Sequence, residues 1–407
     1  MANTLLTIGM ITNRALMVLE NNLTFSKFVN REYDDRFAMS GAKIGATLDI
    51  RIPPRYTVNT TVPLSVQDTT ETRSSLVLNN QHHVDVSFTS QELTLSVDDF
   101  SNRILEPMIA SLANKIDNVG LNEYWNVYNS VTANAANPPV VQPLLYDYLK
   151  AADKLDYEAT PRGRQRSVVM HPGAQSALIN ELKGLFHSSM EIERQYEEGT
   201  MGQTGGFKLS MDQNVFTHTV GALGGTPTVN GAGQTGASIV TQSWSASITN
   251  ILRRGDVITC AGCFAVNPQT RQSTGQLRNF VVTADQSSSA GGAVTIPVSP
   301  SIVTSGAGQT VTASPTNGGA VVVLGTAVTG YPQELAFHRD AFTLASADLE
   351  KPNGVDWAAR VSSKKLGLSM RMVRQYDINA DAFPCRVDVL YGWKTIRPEL
   401  ACRIWSA

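Results

Sequence analysis

Charge is scarce in this 407-residue sequence, and lysine is scarcer than arginine. Charged residues make up 17% of the chain, against about 25% in ordinary soluble domains. The formal net charge of −2 argues against a protein that holds nucleic acid mainly by a strong positive field. There are 22 arginines and only 11 lysines. Because arginine is enriched and lysine depleted at protein interfaces, the composition favours an assembling protein whose surface other chains partly cover.

Cysteine is also scarce, and long hydrophobic runs are missing. The four cysteines, at positions 260, 263, 385 and 402, are too few and too unevenly spaced for a disulfide framework, and they suit a reducing compartment. No uninterrupted apolar stretch reaches the ~20 residues that span a bilayer. The first 23 residues lack the basic flank of a secretion signal. We therefore expect a protein that is soluble and cytosolic when made, with no membrane partner.

Motifs for catalysis and cofactor binding are missing as well. The sequence has no P-loop, G-x-S-x-G elbow or H-E-x-x-H. Cys260 and Cys263 have the C-x-x-C spacing of zinc ribbons and thiol oxidoreductases, but no second pair accompanies them, so ordinary strand cysteines are favoured. The glycines at 231, 233 and 236 match G-x-G-x-x-G without the strand and helix that dinucleotide binding requires, which favours a linker.

Two further motifs have structural interpretations. Arg254-Gly255-Asp256 is expected to form a turn that leads into a strand. His82 and His83 lie beside a predicted strand and are expected to be solvated rather than metal-bound. We therefore predict no catalytic site, no metal site and no cofactor.

The amino-terminal part predicts a helix, two strands and a second helix. Apolar residues recur at helical spacing over 5–19, and alternate with polar ones over Leu48–Ile52 and Val84–Phe88. Residues 55–82 between the two strands are mostly polar, so this stretch is either an extended hairpin or a disordered surface loop. From Ser96 a helical stripe over 97–128 predicts a spine helix about 48 Å long, with Pro107 in its first turn or at a kink.

The rest of the chain predicts a split α/β lobe that surrounds an all-β insertion. A helix is expected over 144–156, a strand over Ser167–Met170 and a helix from Gly173. At Gly221 the composition shifts to Gly, Thr, Ser, Val and Ala, with short apolar runs, and the mixed pattern returns after Tyr331. A chain of this length exceeds the ~250–300 residues that one core usually organises, in agreement with more than one lobe.

Four local motifs resemble, in order, those of tailed-phage coat proteins with the Hong Kong 97 fold, closest to the lederbergvirus type with an inserted β-barrel: VVMHPGAQ at 168–175, EEGTMGQTGGFKLSMDQNV at 197–215, LRRGDVITCAG at 252–262 and LYGWKTIRPE at 390–399. The resemblance covers nearly the whole chain and implies an α+β fold. The parts that it implies are an amino-terminal arm at 1–45, an extended-loop β-hairpin at 46–92, a peripheral domain with the spine helix at 93–134, the first part of an axial domain at 135–221, the inserted β-barrel at 222–332 and the axial and peripheral return at 333–407.

The resemblance also implies a function. A major capsid protein of this type forms pentamers and hexamers of an icosahedral shell, guided by a scaffolding protein and joined to a portal, and encloses double-stranded DNA. The near-neutral charge suits a wall that makes only weak, non-specific contact with DNA. The expected location is the host cytoplasm during assembly and then the virion capsid.

Two alternatives remain, one within structural proteins and one in another class. An encapsulin-like nanocompartment shell protein of the same fold is the runner-up, and an enzyme or carbohydrate-binding β protein is third, because no convergent set of acid, base or metal ligands is present.

The candidate site residues are contacts between subunits rather than catalytic groups. Arg55, Glu71 and Arg73 lie in the polar part of the extended loop. Polar residues between two strands have no core of their own to join, so we expect the loop to reach over a neighbouring subunit, where these three residues form charge pairs between chains.

Overall fold

The computed structural model describes residues 15–19, 22–31, 47–58, 66–67, 69, 71–89, 106–163, 165–182, 203–363 and 368–407. The chain divides into two compact units. The first comprises Met1–Arg51, Arg73–Gly120 and Phe342–Lys394, and the second comprises Ile52–Thr72, Leu121–Ala341 and Thr395–Ala407. None of the helices in these described ranges is long and apolar enough to cross a membrane.

The helices and strands follow one another along the chain as β1 (Thr47–Ile52), β2 (Thr72–Val77), β3 (Asn80–Thr89), α1 (Glu106–Leu121), β4 (Ser130–Thr132), α2 (Leu145–Tyr157), β5 (Arg166–Met170), α3 (Pro172–Leu182), β6 (Gln203–Thr204), β7 (Phe207–Met211), β8 (Thr217–Thr219), β9 (Gly225–Val229), β10 (Gly236–Trp244), β11 (Val257–Val266), β12 (Ser273–Val282), β13 (Val294–Ile302), β14 (Val321–Val323), β15 (Gly330–His338), β16 (Phe342–Ala347), β17 (Trp357–Ser363), β18 (Leu368–Arg374), β19 (Ala382–Thr395) and β20 (Ala401–Trp405). Single 3-10 turns occur at Phe25–Lys27, Asn122–Asn126, Ala133–Ala135, Arg339–Ala341 and Pro398–Leu400.

The first unit contains a sheet in which β19 is the central strand. The order is β16-β19-β18-β17, and β3 also pairs with β19. Val84 of β3 lies opposite Val387, and Met370 of β18 lies opposite Val389. Both β19 valines are fully buried. The alternation of apolar and polar residues along these strands therefore buries one face of the sheet, as the period of two requires.

Helix α1 holds the amino-terminal 3-10 turn of the first unit through one carboxylate. Asp117 is buried and accepts hydrogen bonds from the backbone amides of Thr24 (2.5 Å), Phe25 (3.2 Å) and Ser26 (3.1 Å). These amides begin the turn Phe25–Lys27 and have no partner within it, so the carboxylate satisfies them.

The second unit contains a seven-stranded sheet flanked by α2 and α3. Its order is β4-β20-β15-β5-β7-β6, and β8 pairs with β15. The buried core of this sheet combines strand residues with the inner faces of the two helices, among them Val168, Met170, Ile404, Tyr148, Leu155 and Leu178. Apolar side chains of the mixed sheet and of the two helices therefore form one shared core, which is an α+β arrangement.

A second sheet of this unit closes on itself. Its order is β14-β11-β12-β13-β10-β9, and the first and last strands meet at an antiparallel bridge between Thr228 and Ala320. The amide of Val229 donates to the carbonyl of Gly319 at 2.9 Å. The closed sheet surrounds its own core of buried side chains, which includes Ile258, Cys260, Cys263, Phe280, Ile296 and Val311.

Most predicted elements are confirmed, with bounds shifted by one or two residues. The helix predicted over 144–156 is α2, the strand predicted over Ser167–Met170 is β5, and the helix predicted from Gly173 is α3. Residues 15–19 of the predicted amino-terminal helix are helical, while 5–14 and the predicted helix start at Ser96 lie outside the described residues.

Two predictions are wrong in detail. The strands predicted at Leu48–Ile52 and Val84–Phe88 exist, but β1 pairs with β2 and β3 pairs with β19. Strand β2 was missed because Thr72–Val77 is mostly polar and exposed, and its pairing comes from its neighbour rather than from an apolar pattern. The spine helix does not continue to residue 128, because α1 ends at Leu121 and a 3-10 turn follows over Asn122–Asn126. Pro107 lies within α1, whose described part begins at Glu106.

A substitution of Gly120, near the end of α1, tests the packing of the first unit. A Cβ at this position would lie 2.6 Å from Cζ2 of Trp393 and 2.9 Å from Cδ1 of Phe25, whose rings are stacked with centroids 5.2 Å apart. Alanine is favoured over glycine in a helix by about 1 kcal/mol, whereas overpacking costs about 1 to 3 kcal/mol. We expect Gly120→Ala to lower the free energy of unfolding, measured in urea by circular dichroism.

The matched control is Gly308→Ala. A Cβ added at Gly308 meets no atom within 4 Å, so the free energy of unfolding is expected to stay within about 0.5 kcal/mol of the parent. A Gly120→Ala protein as stable as the parent would contradict the close packing of Gly120 against Trp393 and Phe25.

Candidate functional site

The predicted contact residues lie around the segment that links β1 and β2. Arg55 is 38% exposed and pairs within the chain, since its Nη2 lies 3.4 Å from Oε1 of Glu399. Glu71 precedes β2 and Arg73 lies on it, and both are exposed. The structure therefore places Arg55 beside Glu399, and the side chains of Glu71 and Arg73 are exposed.

The two limbs of this segment are joined by side-chain hydrogen bonds. The amide of Thr57 donates to Oε1 of Gln67 at 2.9 Å, and Nε2 of Gln67 donates to the carbonyl of Thr57 at 2.5 Å. The hydroxyls of Tyr56 and Thr69 lie 3.2 Å apart. Polar side chains thus join residues 56–57 to residues 67 and 69.

A buried carboxylate occupies the junction between the closed six-stranded sheet and the seven-stranded sheet. The turn Arg253–Asp256 is closed by a bond from the amide of Asp256 to the carbonyl of Arg253 at 3.0 Å, and β11 follows at once. This confirms the predicted turn. Gly255 is required here because its φ is +96° and an added Cβ would lie 3.1 Å from the His218 ring.

Three donors, from the strand β8, the segment after it and the turn, converge on Asp256. The imidazole Nε2 of His218 lies 2.8 Å from Oδ1. The amides of Gly221 and Arg253 donate to Oδ2 at 3.2 and 2.7 Å. Asp256 is fully buried, so these bonds replace the water that an ionised carboxylate needs.

His218 carries no charge at neutral pH in this setting. Its burial lowers its pKa, and the effect outweighs the opposing hydrogen bond and charge of Asp256. The neutral ring donates from Nε2 to Asp256 and accepts at Nδ1 from the Tyr124 hydroxyl, 3.1 Å away. The bond to Asp256 thus determines the tautomer.

Arg403 joins the terminal strand β20 to the same turn. Its Nη2 donates to the carbonyl of Gly255 at 2.8 Å, and its guanidinium lies 5.7 Å from the ring centroid of Tyr124 and 5.4 Å from that of Trp405. Burial lowers the pKa of Arg403 to about 10, so the group stays charged at neutral pH. Strand β20 is thereby fastened to the closed sheet by a buried cation.

A second junction lies at the end of α2. Arg278 of β12 forms a buried ion pair with Glu158, and its guanidinium lies 4.5 Å from the ring centroid of Tyr128. The neighbouring Asn279 donates from Nδ2 to the carbonyl of Ser130 at 3.1 Å. Arg55 borders the same junction, because it helps to line a cleft of about 150 Å³ there.

These groups connect strands of the second unit. A hydroxyl, an imidazole and a carboxylate are hydrogen-bonded in series at Tyr124, His218 and Asp256, as in a catalytic relay. All three side chains are buried. Cys260 and Cys263 lie in the core of the closed sheet, and burial raises the pKa of each thiol to about 12. Within the described ranges no group of three or more His, Cys, Asp or Glu side chains is placed to hold a metal ion.

The two histidines predicted to be solvated have polar partners in the first unit. Nδ1 of His82 lies 2.9 Å from the Tyr391 hydroxyl, and Nδ1 of His83 lies 2.9 Å from Oδ2 of Asp85. Successive side chains of β3 point to opposite faces of the sheet, so His82 is half-buried whereas His83 is exposed.

Sequence reasoning missed the junction residues, although a signal was present. Asp256, Arg278 and Arg403 are charged residues at the start of, or inside, short apolar runs. A charge in a strand that is otherwise buried requires a buried partner, so such residues mark places where two parts of a fold meet.

The buried polar groups of both junctions connect strands within one subunit. The family model described as P22 coat protein, gene protein 5, matches residues 67–403, more than four fifths of the sequence. The chain therefore belongs to the P22 coat protein family. It is the major capsid protein of a tailed bacteriophage, and its α+β architecture is of the Hong Kong 97 type.

Solved phage structures resemble the chain at low sequence identity. A structure from Mycobacterium phage Che8 is 13% identical, with 94% of this chain and 90% of that chain covered and a TM-score of 0.43. The capsid of Ralstonia phage GP4 is 7% identical, with 93% of this chain and 86% of that chain covered and a TM-score of 0.46. The capsid of Cyanophage P-SCSP1u is 10% identical, with 91% of this chain and 85% of that chain covered and a TM-score of 0.45. No curated protein matches the sequence. The family assignment rests on the family model.

Replacing Asp256 tests the first junction. Asp256→Asn keeps the shape but puts an amide where donors converge, so at least one buried donor loses its acceptor, at a cost of about 1 to 3 kcal/mol each. We expect the free energy of unfolding of the full chain, measured in urea, to fall by this amount. The control is Asp285→Asn, an exposed carboxylate that accepts from the Arg254 amide at 2.7 Å in the same turn and should change stability by less than about 1 kcal/mol. Equal losses for the two variants would contradict the role of burial.

The lowered pKa of His218 predicts a pH dependence. An unfolded histidine, with a pKa near 6.5, takes up a proton at a pH where the folded ring stays neutral, so the stability that His218 contributes is complete above pH 6.5 and is lost below it. We expect His218→Gln to destabilise the protein more at about pH 7.5 than at about pH 5.5, in urea titrations. The exposed His83→Gln is the control, and a cost of His218→Gln that does not vary with pH would contradict the assignment.

Proposed function

We propose that this coat protein carries an inserted β domain at residues 222–332, as the lederbergvirus-type coat proteins do. The pairing of β8 with β15 carries the proposal, because Thr219 lies opposite Gly330. The amide of Val220 donates to the carbonyl of Thr329, and that of Val328 to Gly221, both at 3.1 Å. The chain thus leaves the seven-stranded sheet and returns to it at adjacent strands, as an insertion requires. The closed sheet with its own core lies between them.

The remaining division of the chain is proposed on the same resemblance. It consists of an arm at 1–45, an extended loop at 46–92, a peripheral domain at 93–134, and an axial domain at 135–221 that returns with the peripheral domain at 333–407. The helix α1 within 93–134 supports this division, as do the strands β5 to β8 within 135–221 and β20 within 333–407, which belong to one seven-stranded sheet.

The subunit assembles into pentamers and hexamers of a closed icosahedral shell. Membership of a coat protein family, the low share of charged residues and the excess of arginine over lysine support self-association. A scaffolding protein and a portal are the implied partners during assembly in the host cytoplasm. The protein carries out no reaction in this role, and its polar clusters brace the subunit.

The shell encloses double-stranded DNA and binds it weakly. A net charge of −2 supports this, because each phosphate that a wall neutralises adds salt-dependent affinity. A shell that encloses an enzyme, as an encapsulin-like compartment does, would contain protein cargo instead.

The test is to purify particles from cells that make the chain with its other head proteins. Negative-stain images should show closed shells, and nuclease-treated particles should retain DNA of kilobase length. A chain that stays monomeric at high concentration with every head protein present would overturn the assembly role, and particles with protein cargo and no DNA would favour the compartment.

The extended loop is proposed to reach over a neighbouring subunit, where Arg55, Glu71 and Arg73 form charge pairs between chains. The exposure of Glu71 and Arg73 and the polar bonds between the limbs support this proposal. Arg55 also pairs within the chain with Glu399, so its replacement would change two contacts at once.

Charge reversal at the loop separates assembly from folding. We expect Glu71→Lys and Arg73→Glu to leave circular dichroism and melting of the free subunit nearly unchanged. One exposed pair contributes about 0 to 1 kcal/mol, but a shell repeats it in every subunit, so shell yield should fall or shells should dissociate in moderate salt. If both variants assemble normally and resist salt like the parent, the loop does not act through charge pairs.

A further inference from the structure

A small cleft of the second unit lies between the extended loop, the closed sheet and the turn before β20. Its volume is about 150 Å³, and its charged lining consists of Arg55, Glu158, Arg278 and Glu399. Taking several ionisable groups partly out of water is costly unless each charge has a partner of opposite sign. The pairing of these groups therefore shows whether the cleft is complete.

Two carboxylates at the cleft are shared by three arginines. Glu399 accepts from two of them, since its Oε1 lies 3.4 Å from Nη2 of Arg55 and 3.1 Å from Nε of Arg397. Glu158 forms the buried ion pair with Arg278. The three guanidinium groups thus exceed the two carboxylates by one positive charge.

Arg271, in the turn between β11 and β12, adds a fourth guanidinium beside the cleft. Its Nη2 donates to the carbonyl of Tyr56 at 3.3 Å, next to Arg55. Burial and the positive charge of Arg55 both lower the pKa of Arg271. Two like charges lie close together here, and the local surplus rises to two positive charges.

Some of these guanidinium groups also have donors that bond to nothing. Nε and Nη1 of Arg271 and Nε of Arg278 are buried and have no hydrogen-bond partner among the described residues. The side chain of Arg278 is only 4% exposed. A buried donor without an acceptor is unfavourable, and more so on a charged group. Unpaired donors and surplus positive charge occur at the same place, and one bound anion would satisfy both.

Another cleft of the same unit shows that arginines alone do not create such a site. It has a volume of about 380 Å³ and is lined by Asp156, Arg162 and Arg166 among others. Arg162 donates from Nε and Nη2 to the two oxygens of Asp156 at 3.1 and 2.6 Å, and Nη2 of Arg166 lies 2.7 Å from Oδ1. Of these two described arginines, neither has a buried nitrogen without a partner.

We propose that the cleft of about 150 Å³ binds one small oxyanion, to which Arg271 and Arg278 donate. Guanidinium groups match the oxygens of phosphate and of carboxylate, and charge-assisted bonds of this kind are strong. A water takes about 30 Å³, so the volume suits a small oxyanion with a few waters rather than a nucleotide. The anion connects the extended loop, through Arg55, to the closed sheet.

Titration of the free subunit with inorganic phosphate tests the proposal by isothermal calorimetry, in chloride buffers of constant ionic strength. We expect saturable binding of one phosphate per chain. Arg271→Gln should weaken the binding roughly tenfold or more, because it removes a charged donor. Glu399→Gln should tighten it, because it removes a competing negative charge. The matched control is Arg162→Gln, in the other cleft, which should bind phosphate like the parent.

Two results would overturn the proposal. One is a subunit without saturable phosphate binding, which would leave water as the occupant of the cleft. The other is equal affinity of the Arg271→Gln and Arg162→Gln proteins. If circular dichroism shows that Arg271→Gln does not fold, Glu399→Gln decides, and an affinity no higher than that of the parent would then contradict the site. These measurements use the free subunit, so they do not depend on the proposed function.

Assembled particles distinguish the two sources of the oxyanion. A free phosphate as the natural occupant predicts that particles bind phosphate as the subunit does. A carboxylate from a neighbouring chain would already fill the cleft in a shell, so the subunit would bind phosphate and the particles would not. Either result supports the oxyanion site and identifies its occupant.

Discussion

The buried carboxylate of Asp256 is the contact on which the second unit depends. An ionised group loses several kcal/mol of hydration on burial, and only well-placed donors offset that loss. Here the donors are the imidazole of His218 and the amides of Gly221 and Arg253. They come from β8, the segment after it and the turn before β11, so the carboxylate connects the closed sheet to the seven-stranded sheet.

The other buried charges follow the same rule with different partners. Arg403 has a backbone carbonyl and two aromatic rings around it, and burial lowers its pKa to about 10. Arg278 has Glu158 and the Tyr128 ring. In each case a charged side chain of a strand reaches across to another part of the unit. Apolar packing alone would tolerate small shifts between the sheets, whereas these directional bonds do not.

A coat subunit benefits from this division between interior and surface. Strong, buried polar contacts hold the strands of one chain, while the loop at 55–73 is proposed to make weaker contacts between chains. Assembly from weak contacts allows misplaced subunits to dissociate before a shell closes. The repetition of these contacts in every subunit then stabilises the closed shell. The low share of charged residues, 17% of the chain, is in keeping with a surface that other copies cover.

The sequence by itself determined the local elements and the class of protein. The apolar period of Leu145–Tyr157 and the apolar runs of β11 to β14 are local patterns, so helix and strand followed from them without tertiary information. The order of four motifs indicated the coat family. Only the tertiary structure decided the strand partners and the junctions. Thr72–Val77 becomes a strand because β1 pairs with it, and Asp256 becomes a hub because His218 lies 2.8 Å away after folding. Such contacts join residues far apart in the chain, and no local pattern encodes which of them meet.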